Sequence, residues 1–324
     1  MPRDKVLVAQ GGGPTAVINQ SLVGVVLEAR KGKNAGCVYG AFHGVRGIVD
    51  EDFTNLSRES ETNLEKVAAT PSSALGSTRD KPDEKYCREI LASLQAHGID
   101  RFFYIGGNDS SNTLRILSQQ ARKARYPLRC VHVPKTIDND IPLPGNMPTF
   151  GFQTARHVGV GLVHNLMEDA RTTGRWYLVV TMGRKAGHLT LGIGKASGAT
   201  LSVIAEEFPP GPVALDRVCD ILEGAILKRR AMGHVDGVAL VAEGIGERLD
   251  PEELKDIPGV EVEYDPHGHI ELREIPLAHV LKNKVEERFA VRGEKLTMVD
   301  ANLGYELRSA PPIPFDCEYV RDLG

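Results

Sequence analysis

A short apolar run, a glycine turn and an amphipathic stretch recur along this chain, and that repeating order predicts β-strands joined by crossover helices around mostly parallel sheets. Lys5 to Gln10 reads as a buried strand, Gly11-Gly12-Gly13 as its turn and Ala16 to Lys31 as its helix. The order returns with Arg101 to Ile105, Gly106-Gly107, and a helix from Ser110 to Lys123 entered through Asn108, Asp109 and Ser110, all good N-cap types. Cys130 to Val133 is a third strand, ending at Pro134. Trp176 to Thr181, Leu201 to Ala205 and Val238 to Ala242 predict further strands, with helices over Leu189 to Ser197 and Leu215 to Arg230. Glu51 to Lys66 reads as a polar inserted helix and loop, and Glu261 to Glu274 as a surface hairpin around Pro266-His267-Gly268.

Size and charge narrow the class. Single cores stop growing near roughly 250–300 residues, so 324 residues favour two lobes. The 34 glycines exceed the roughly 23 that average usage of about 7% would supply, a surplus that signals tight turns and close backbone approaches. With 39 Lys and Arg mixed among 43 Asp and Glu, no basic domain makes nucleic acid the partner, and anions must be bound locally. The stretch from Val6 to Ala9 is too short for a signal or membrane segment, so a cytoplasmic setting without membrane contact is expected. The odd set Cys37, Cys87, Cys130, Cys219 and Cys317 lacks CxxC spacing, so packing rather than disulfide or zinc chemistry is expected.

Four segments could carry chemistry. Gly11-Gly12-Gly13 can wrap a phosphate with backbone N–H groups at a helix N-terminus, or simply make a tight turn. Gly106-Gly107-Asn108-Asp109-Ser110 repeats that geometry, its carboxylate calling for a cation beside phosphate; N-capping by Asn108 or Asp109 is the plainer alternative. In Pro134-Lys135-Thr136-Ile137-Asp138-Asn139-Asp140, extended backbone would point Asp138 and Asp140 the same way, about 7 Å apart by the strand rise. Such a carboxylate pair suits a general base and an electrostatic partner, and an Asx turn is the competing reading. In Met182-Gly183-Arg184, Arg184 can fork onto a phosphate, with Arg175 at the other end of the same strand, or the loop can be a solvated basic one. Glu243 closes a strand, where it can serve a ligand or cap a loop, and His188, His267 and His269 read as surface residues.

Taken together these segments resemble the phosphofructokinase family, in its pyrophosphate-dependent branch. The resemblance rests on Gly12-Gly13 with Asn19, Leu75-Gly76-Ser77-Thr78-Arg79, Gly106 to Ser110, Lys135 to Asp140, Gly151-Phe152-Gln153-Thr154-Ala155, Met182-Gly183-Arg184, Glu243, and Leu303-Gly304-Tyr305-Glu306-Leu307-Arg308. It implies a two-lobed α/β fold with the active site in the cleft between lobes. It further implies phosphoryl transfer to the 1-hydroxyl of fructose 6-phosphate with Mg²⁺, and a homodimer or homotetramer. Asp138 matches the general base. Gly12, Gly13, Arg79, Gly107, Asp109 and Lys135 match the donor site, with Lys135 and Asp109 also serving the chemistry and Asn108 and Asp109 the metal. Thr136, Asp138, Asp140, Met182, Gly183, Arg184, Glu243, Tyr305 and Arg308 match the sugar-phosphate pocket, and Arg175 matches a residue that reaches a neighbouring subunit's pocket.

The same resemblance sets donor choice. ATP users carry Gly at the position of Asp109, and a like-charge pair at about 4 Å costs on the order of 4 kcal/mol at an effective dielectric near 20; Lys135 adds a compact cation suited to pyrophosphate. Asn108 departs from the family's usual Asp, and Ala16-Val17 from its usual Pro-Gly. The expected division is a donor lobe over residues 1–142, a sugar-phosphate lobe over 143–310, and 311–324 as the start of a return segment of a truncated chain. ATP-dependent phosphofructokinase and a non-catalytic sugar-phosphate-sensing subunit remain the alternatives; a dinucleotide-dependent oxidoreductase is disfavoured because GxGxxG is missing.

Overall fold

The computed structural model describes residues 4–32, 35–250, 253 and 276–324. Contacts divide the chain into two compact units, one of Met1–Ile137, Ile141–Ala155 and Arg308–Gly324, the other of Asp138–Asp140 and Arg156–Leu307.

In the first unit, β1 (Asp4–Gln10), α1 (Ile18–Lys31), β2 (Ala35–Ala41), α2 (Val45–Val49), β3 (Phe53–Asn55), α3 (Glu61–Ala68), α4 (Glu84–Ala96), β4 (Arg101–Gly106), α5 (Asn108–Lys123) and β5 (Arg129–Pro134) follow in order. The strands make a sheet ordered β3-β2-β1-β4-β5, parallel except for β3. Alternation along β1 sends Val6 and Val8 into one core with Leu22, Val25 and Val26 of α1. Leu7 and Ala9 enter the other, with Ile90 and Leu94 of α4 and Leu114 and Leu117 of α5. Register brings Gln10 beside Ile105 and Gly106 beside Pro134, so β1, β4 and β5 end level. Both glycine turns and Lys135 therefore leave the sheet along its carboxyl edge, where open α/β sheets bind ligands.

The second unit continues with α6 (Phe152–Thr173), whose first turn lies in the first unit, then β6 (Trp176–Thr181), α7 (His188–Ser197), β7 (Leu201–Val203), α8 (Leu215–Ala231), β8 (Gly237–Ala242), α9 (Leu277–Val291) and β9 (Met298–Leu303). Its sheet, ordered β7-β8-β6-β9, is wholly parallel, and β6 and β8 are buried along their entire length, as the unbroken apolar runs require. Thr181 aligns with Ala242 and with Leu303, so Met182, Glu243 and Gly304 also emerge at one carboxyl edge. Across α8 and α9, Arg288 donates to Asp216, Asp220 and the buried Glu223.

The last helix, α10 (Pro314–Leu323), belongs to the first unit. It packs on α1, with Arg321 donating to Gln20 at 2.8 Å and pairing with Glu65 at 2.9 Å. The observed division differs from that read in the sequence: residues 143–155 and 308–310 join the first unit, because Thr149 Oγ1 donates to the Thr136 carbonyl at 2.7 Å and Asp316 accepts from Gly151 and Thr154.

Element identities follow the sequence closely, with local differences. The strand expected through Ala205 stops at Val203, and residues Ala205–Glu207 turn as a 3-10 helix so that Glu206 Oε1 can accept the Gly187 N–H at 2.7 Å. The polar insertion is β3 and α3, the latter capped by Ser60 accepting from Asn63 N at 3.1 Å. The hairpin expected over Glu261 to Glu274 lies outside the described residues. All five cysteines are free thiols, and burial pushes Cys87 and Cys130 up to about 11, leaving unreactive thiols. No helix among the described residues is long and apolar enough to cross a membrane.

Gly24 marks how closely α1 and α10 approach, since a Cβ there would overlap the Arg321 backbone carbonyl oxygen. Alanine gains about 0.5–1 kcal/mol of helix propensity, whereas overpacking against backbone costs about 1–3 kcal/mol. Gly24→Ala is therefore expected to lower stability in urea denaturation, and an unchanged or raised midpoint would contradict this packing.

Candidate functional site

At the first unit's carboxyl edge, Gly11 N donates to Ile105 O at 2.9 Å and Gly12 N to Thr78 O at 3.0 Å. Gly12 sits at φ +76°, a left-handed conformation that a Cβ would strain. Asn19 supports this turn from α1: its Oδ1 accepts from Gln10 Nε2 at 2.9 Å and Ala74 N at 2.9 Å, while its Nδ2 donates to Thr70 O at 2.8 Å. The segment so held delivers Ser77, whose Oγ donates to Gly12 O at 2.6 Å, and the exposed Arg79. Next to Arg79, Arg46 and Tyr86 donate to Asp80, and the Arg46 hydrogen bond holds its carboxyl below the usual range.

The second turn meets the first through Lys135. Its backbone N–H donates to Gly106 O at 2.9 Å, and its buried ammonium donates to the Gly13 carbonyl. Gly106 O accepts a second bond, from His132 Nε2 at 2.8 Å; because a carbonyl only accepts, that nitrogen carries the proton. Burial pushes the His132 pKa below its ordinary value, so the ring is neutral at pH 7. The N-cap of α5 is Gly107 rather than Asn108 or Asp109, which occupy the first helical turn; no side chain caps this end. The positive end of the helix dipole there favours a negatively charged group. Arg308 lies at the same place, its guanidinium carbon 3.0 Å from where a Gly13 Cβ would stand.

Beyond Lys135 the extended backbone expected through Asp140 is absent. β5 ends at Pro134, and Asn139 takes φ +56°, so side chains no longer alternate from Asp138 to Asp140. Asparagine tolerates this left-handed turn better than most residues, which is why the turn falls there. Thr136 and Asp138 are both buried.

In the second unit, Glu243 Oε1 accepts the Gly183 N–H at 2.8 Å and the Arg184 N–H at 2.6 Å. This clamp holds the Met182-Gly183-Arg184 loop, including the left-handed backbone of Arg184 at φ +53°. The Arg184 side chain is exposed, and Tyr305 is 73% exposed on the same edge. His188 is exposed, as read in the sequence, and it also donates from Nδ1 to Asn139 O at 2.8 Å, between the two aspartates. Glu206 was missed, although like Glu243 it is a carboxylate just past a strand. Arg175 stands at the opposite end of β6, 4.0 Å from Asp169. At about 3.3 Å per residue, β6 separates Arg175 from Arg184 by roughly 20 Å, so one chain does not bring them together.

Asp109 is more solvated than the sequence estimate assumed: its side chain is 54% exposed and 3.7 Å from Lys81 Nζ. In water a repulsion toward a phosphate at about 4 Å would fall toward about 1 kcal/mol, well below the sequence estimate. Among the described residues no cluster of three or more His, Cys, Asp or Glu forms a metal cage. An Asn108 amide and an Asp109 carboxylate in one helical turn fit a metal that takes one or two protein oxygens and the rest from phosphates and water, the usual habit of Mg²⁺.

A phosphofructokinase family model matches residues 5–324. The chain belongs to the phosphofructokinase family. Among its curated relatives, a protein of Thermotoga maritima named Pyrophosphate--fructose 6-phosphate 1-phosphotransferase is 48% identical over 323 residues, 99% of this chain and 76% of the relative. A protein of that name from Naegleria fowleri is 38% identical over 98% of this chain and 74% of its own length. The crystal structure of a pyrophosphate-dependent phosphofructokinase from Nitrosospira multiformis superposes with TM-score 0.75 at 25% identity, over 98% of this chain and 74% of that one.

The Glu243 clamp makes a direct prediction. Glu243→Ala orphans two backbone donors beside a strained loop, at a cost of about 1–3 kcal/mol, whereas Glu243→Gln keeps an acceptor oxygen. Amide exchange at Gly183 and Arg184 should accelerate strongly in the alanine variant and less in the glutamine one; equal protection in all three proteins would remove the clamp.

Proposed function

We propose that this chain transfers a phosphoryl group reversibly between inorganic pyrophosphate and the 1-hydroxyl of fructose 6-phosphate, giving fructose 1,6-bisphosphate and phosphate. The observation that carries this reading is the buried Lys135 ammonium on the Gly13 carbonyl, beside Gly106 and Gly107. It provides a compact cation at two glycine turns, with no nucleotide-sized requirement. The names of the relatives from Thermotoga maritima and Naegleria fowleri support the same donor.

Phosphoryl transfer asks for positioning and charge neutralisation more than covalent chemistry. In this reading Gly12, Gly13, Gly107, Arg79, Asp109 and Lys135 receive pyrophosphate. Asp138 accepts the 1-hydroxyl proton, and Thr136 and Asp140 line the acceptor end. Met182, Gly183, Arg184, Glu243 and Tyr305 receive the sugar phosphate. Arg308 joins them by family resemblance, although its guanidinium also faces Gly13. Asn108 and Asp109 would hold Mg²⁺, which when bound neutralises charge on the phosphates. The distance separating Arg175 from Arg184 supports a second copy of the chain supplying Arg175, hence a homodimer or larger homo-oligomer. Free cysteines fit a reducing, cytoplasmic setting.

A coupled assay with fructose 6-phosphate and millimolar Mg²⁺, run in parallel with pyrophosphate and ATP, tests the proposal. Turnover is expected with pyrophosphate; preference for ATP would reassign the donor, and no turnover with either would favour a sensing subunit. Asp138→Asn should lower kcat by about 10²–10⁴-fold, the usual contribution of a general base. Asp109→Gly combined with Lys135→Gly should lower kcat/KM for pyrophosphate by about 100-fold, the effect of losing one preorganised charge contact; unchanged pyrophosphate kinetics would sink the donor argument.

A further inference from the structure

The Gly151-Phe152-Gln153-Thr154-Ala155 segment has no role in the site as described, yet it lies between that site and a fully buried carboxylate. Asp316, in the first turn of α10, is 0% exposed. It accepts from Gly151 N at 3.3 Å, Thr154 N at 3.0 Å and Thr154 Oγ1 at 2.7 Å. Thr154 Oγ1 in turn accepts from Ile313 N at 3.3 Å, just before α10. Helix α6 begins at Phe152, so Thr154 is its third residue, whose N–H an N-cap side chain would ordinarily satisfy. Gly151 has no side chain to offer, and at φ +87° against Thr15 it must remain glycine. Asp316 supplies the missing cap from 165 residues away, and its charge faces the positive ends of two helices.

The other side of this segment holds the donor-site backbone. Phe150 forms a parallel bridge with Lys135, and Thr149 Oγ1 donates to Thr136 O at 2.7 Å. Thr149, Phe150 and Thr154 are all fully buried, so displacement at one end is transmitted through packed groups rather than absorbed by water. We propose that Asp316 and Thr154 form a positioning pair that fixes Lys135 and Thr136 for the reaction, in addition to capping α6. The proposal rests on the reading of Lys135 as the pyrophosphate-binding cation.

Asp316→Asn, Thr154→Val and Thr154→Ser separate this role from simple capping, read by kinetics, melting temperature and backbone amide exchange in the full chain. An asparagine turns an N–H₂ toward donors, and valine removes the hydroxyl, so both variants should lose at least tenfold in kcat/KM for pyrophosphate. Thr154→Ser keeps the hydroxyl and should restore pyrophosphate kinetics to within threefold of the unaltered protein. Exchange should accelerate at Gly151 and Thr154 and also at Lys135, whose N–H bonds Gly106. Faster exchange confined to Gly151 and Thr154, with unaltered Lys135 exchange and pyrophosphate kinetics, would leave a helix cap only and overturn the proposal. If Asp316→Asn does not fold, Thr154→Val against Thr154→Ser carries the same comparison. If the unaltered chain turns over neither donor, the functional reading fails, while Lys135 exchange still decides whether the pair positions that backbone.

Discussion

The ammonium of Lys135 on the carbonyl of Gly13 joins two loops that the chain supplies more than a hundred residues apart, and the carboxyl edge of the first sheet is organised around it. A buried cation needs oxygen partners, because its desolvation is otherwise too costly. Here the Gly13 carbonyl takes the ammonium, while Gly106 O accepts the backbone N–H of Lys135 and the His132 ring N–H. Two glycine turns, one lysine and one neutral histidine thus fix each other's backbone before any anion arrives. Such preorganisation is what charge-stabilising catalysis requires.

Sheet register makes this arrangement possible. Because β1, β4 and β5 end level, three loops separated in sequence share one edge, and the aligned ends of β6, β8 and β9 do the same for Met182, Glu243 and Gly304. Around each edge, side chains that bind backbone do much of the shaping. Asn19, Glu206, Glu243 and Asp316 all spend their oxygens on main-chain N–H groups. Local residue type and long-range loop holding are therefore separate sources of the site's shape.

That separation explains what was legible beforehand. The glycine turns, Lys135 and the Met182 loop were recognisable as segments that follow strand ends, because apolar runs and glycines mark those ends at fixed local spacing. His188 was not, since nothing near it in sequence reveals that Asn139 O lies within hydrogen-bond reach. Asp316 was equally silent, standing 162 residues from the threonine it caps. The geometry of Asp138 and Asp140 was misread for a related reason: strand alternation is a local rule, and the left-handed turn at Asn139 breaks it.

What the amino-acid order by itself determined was the alternation of buried strands and amphipathic helices, the α/β class, and the placing of glycine turns between strand and helix. These follow from short-range periodicity and from the conformational range of glycine. Tertiary structure alone decided that Gly107 rather than Asn108 caps α5, that Asp109 is solvated beside Lys81, that Glu243 clamps a loop, and that residues 143–155 belong with the first unit. Each of these depends on which backbone groups remain unpaired once the sheets have formed, and only the long-range packing of the chain settles that.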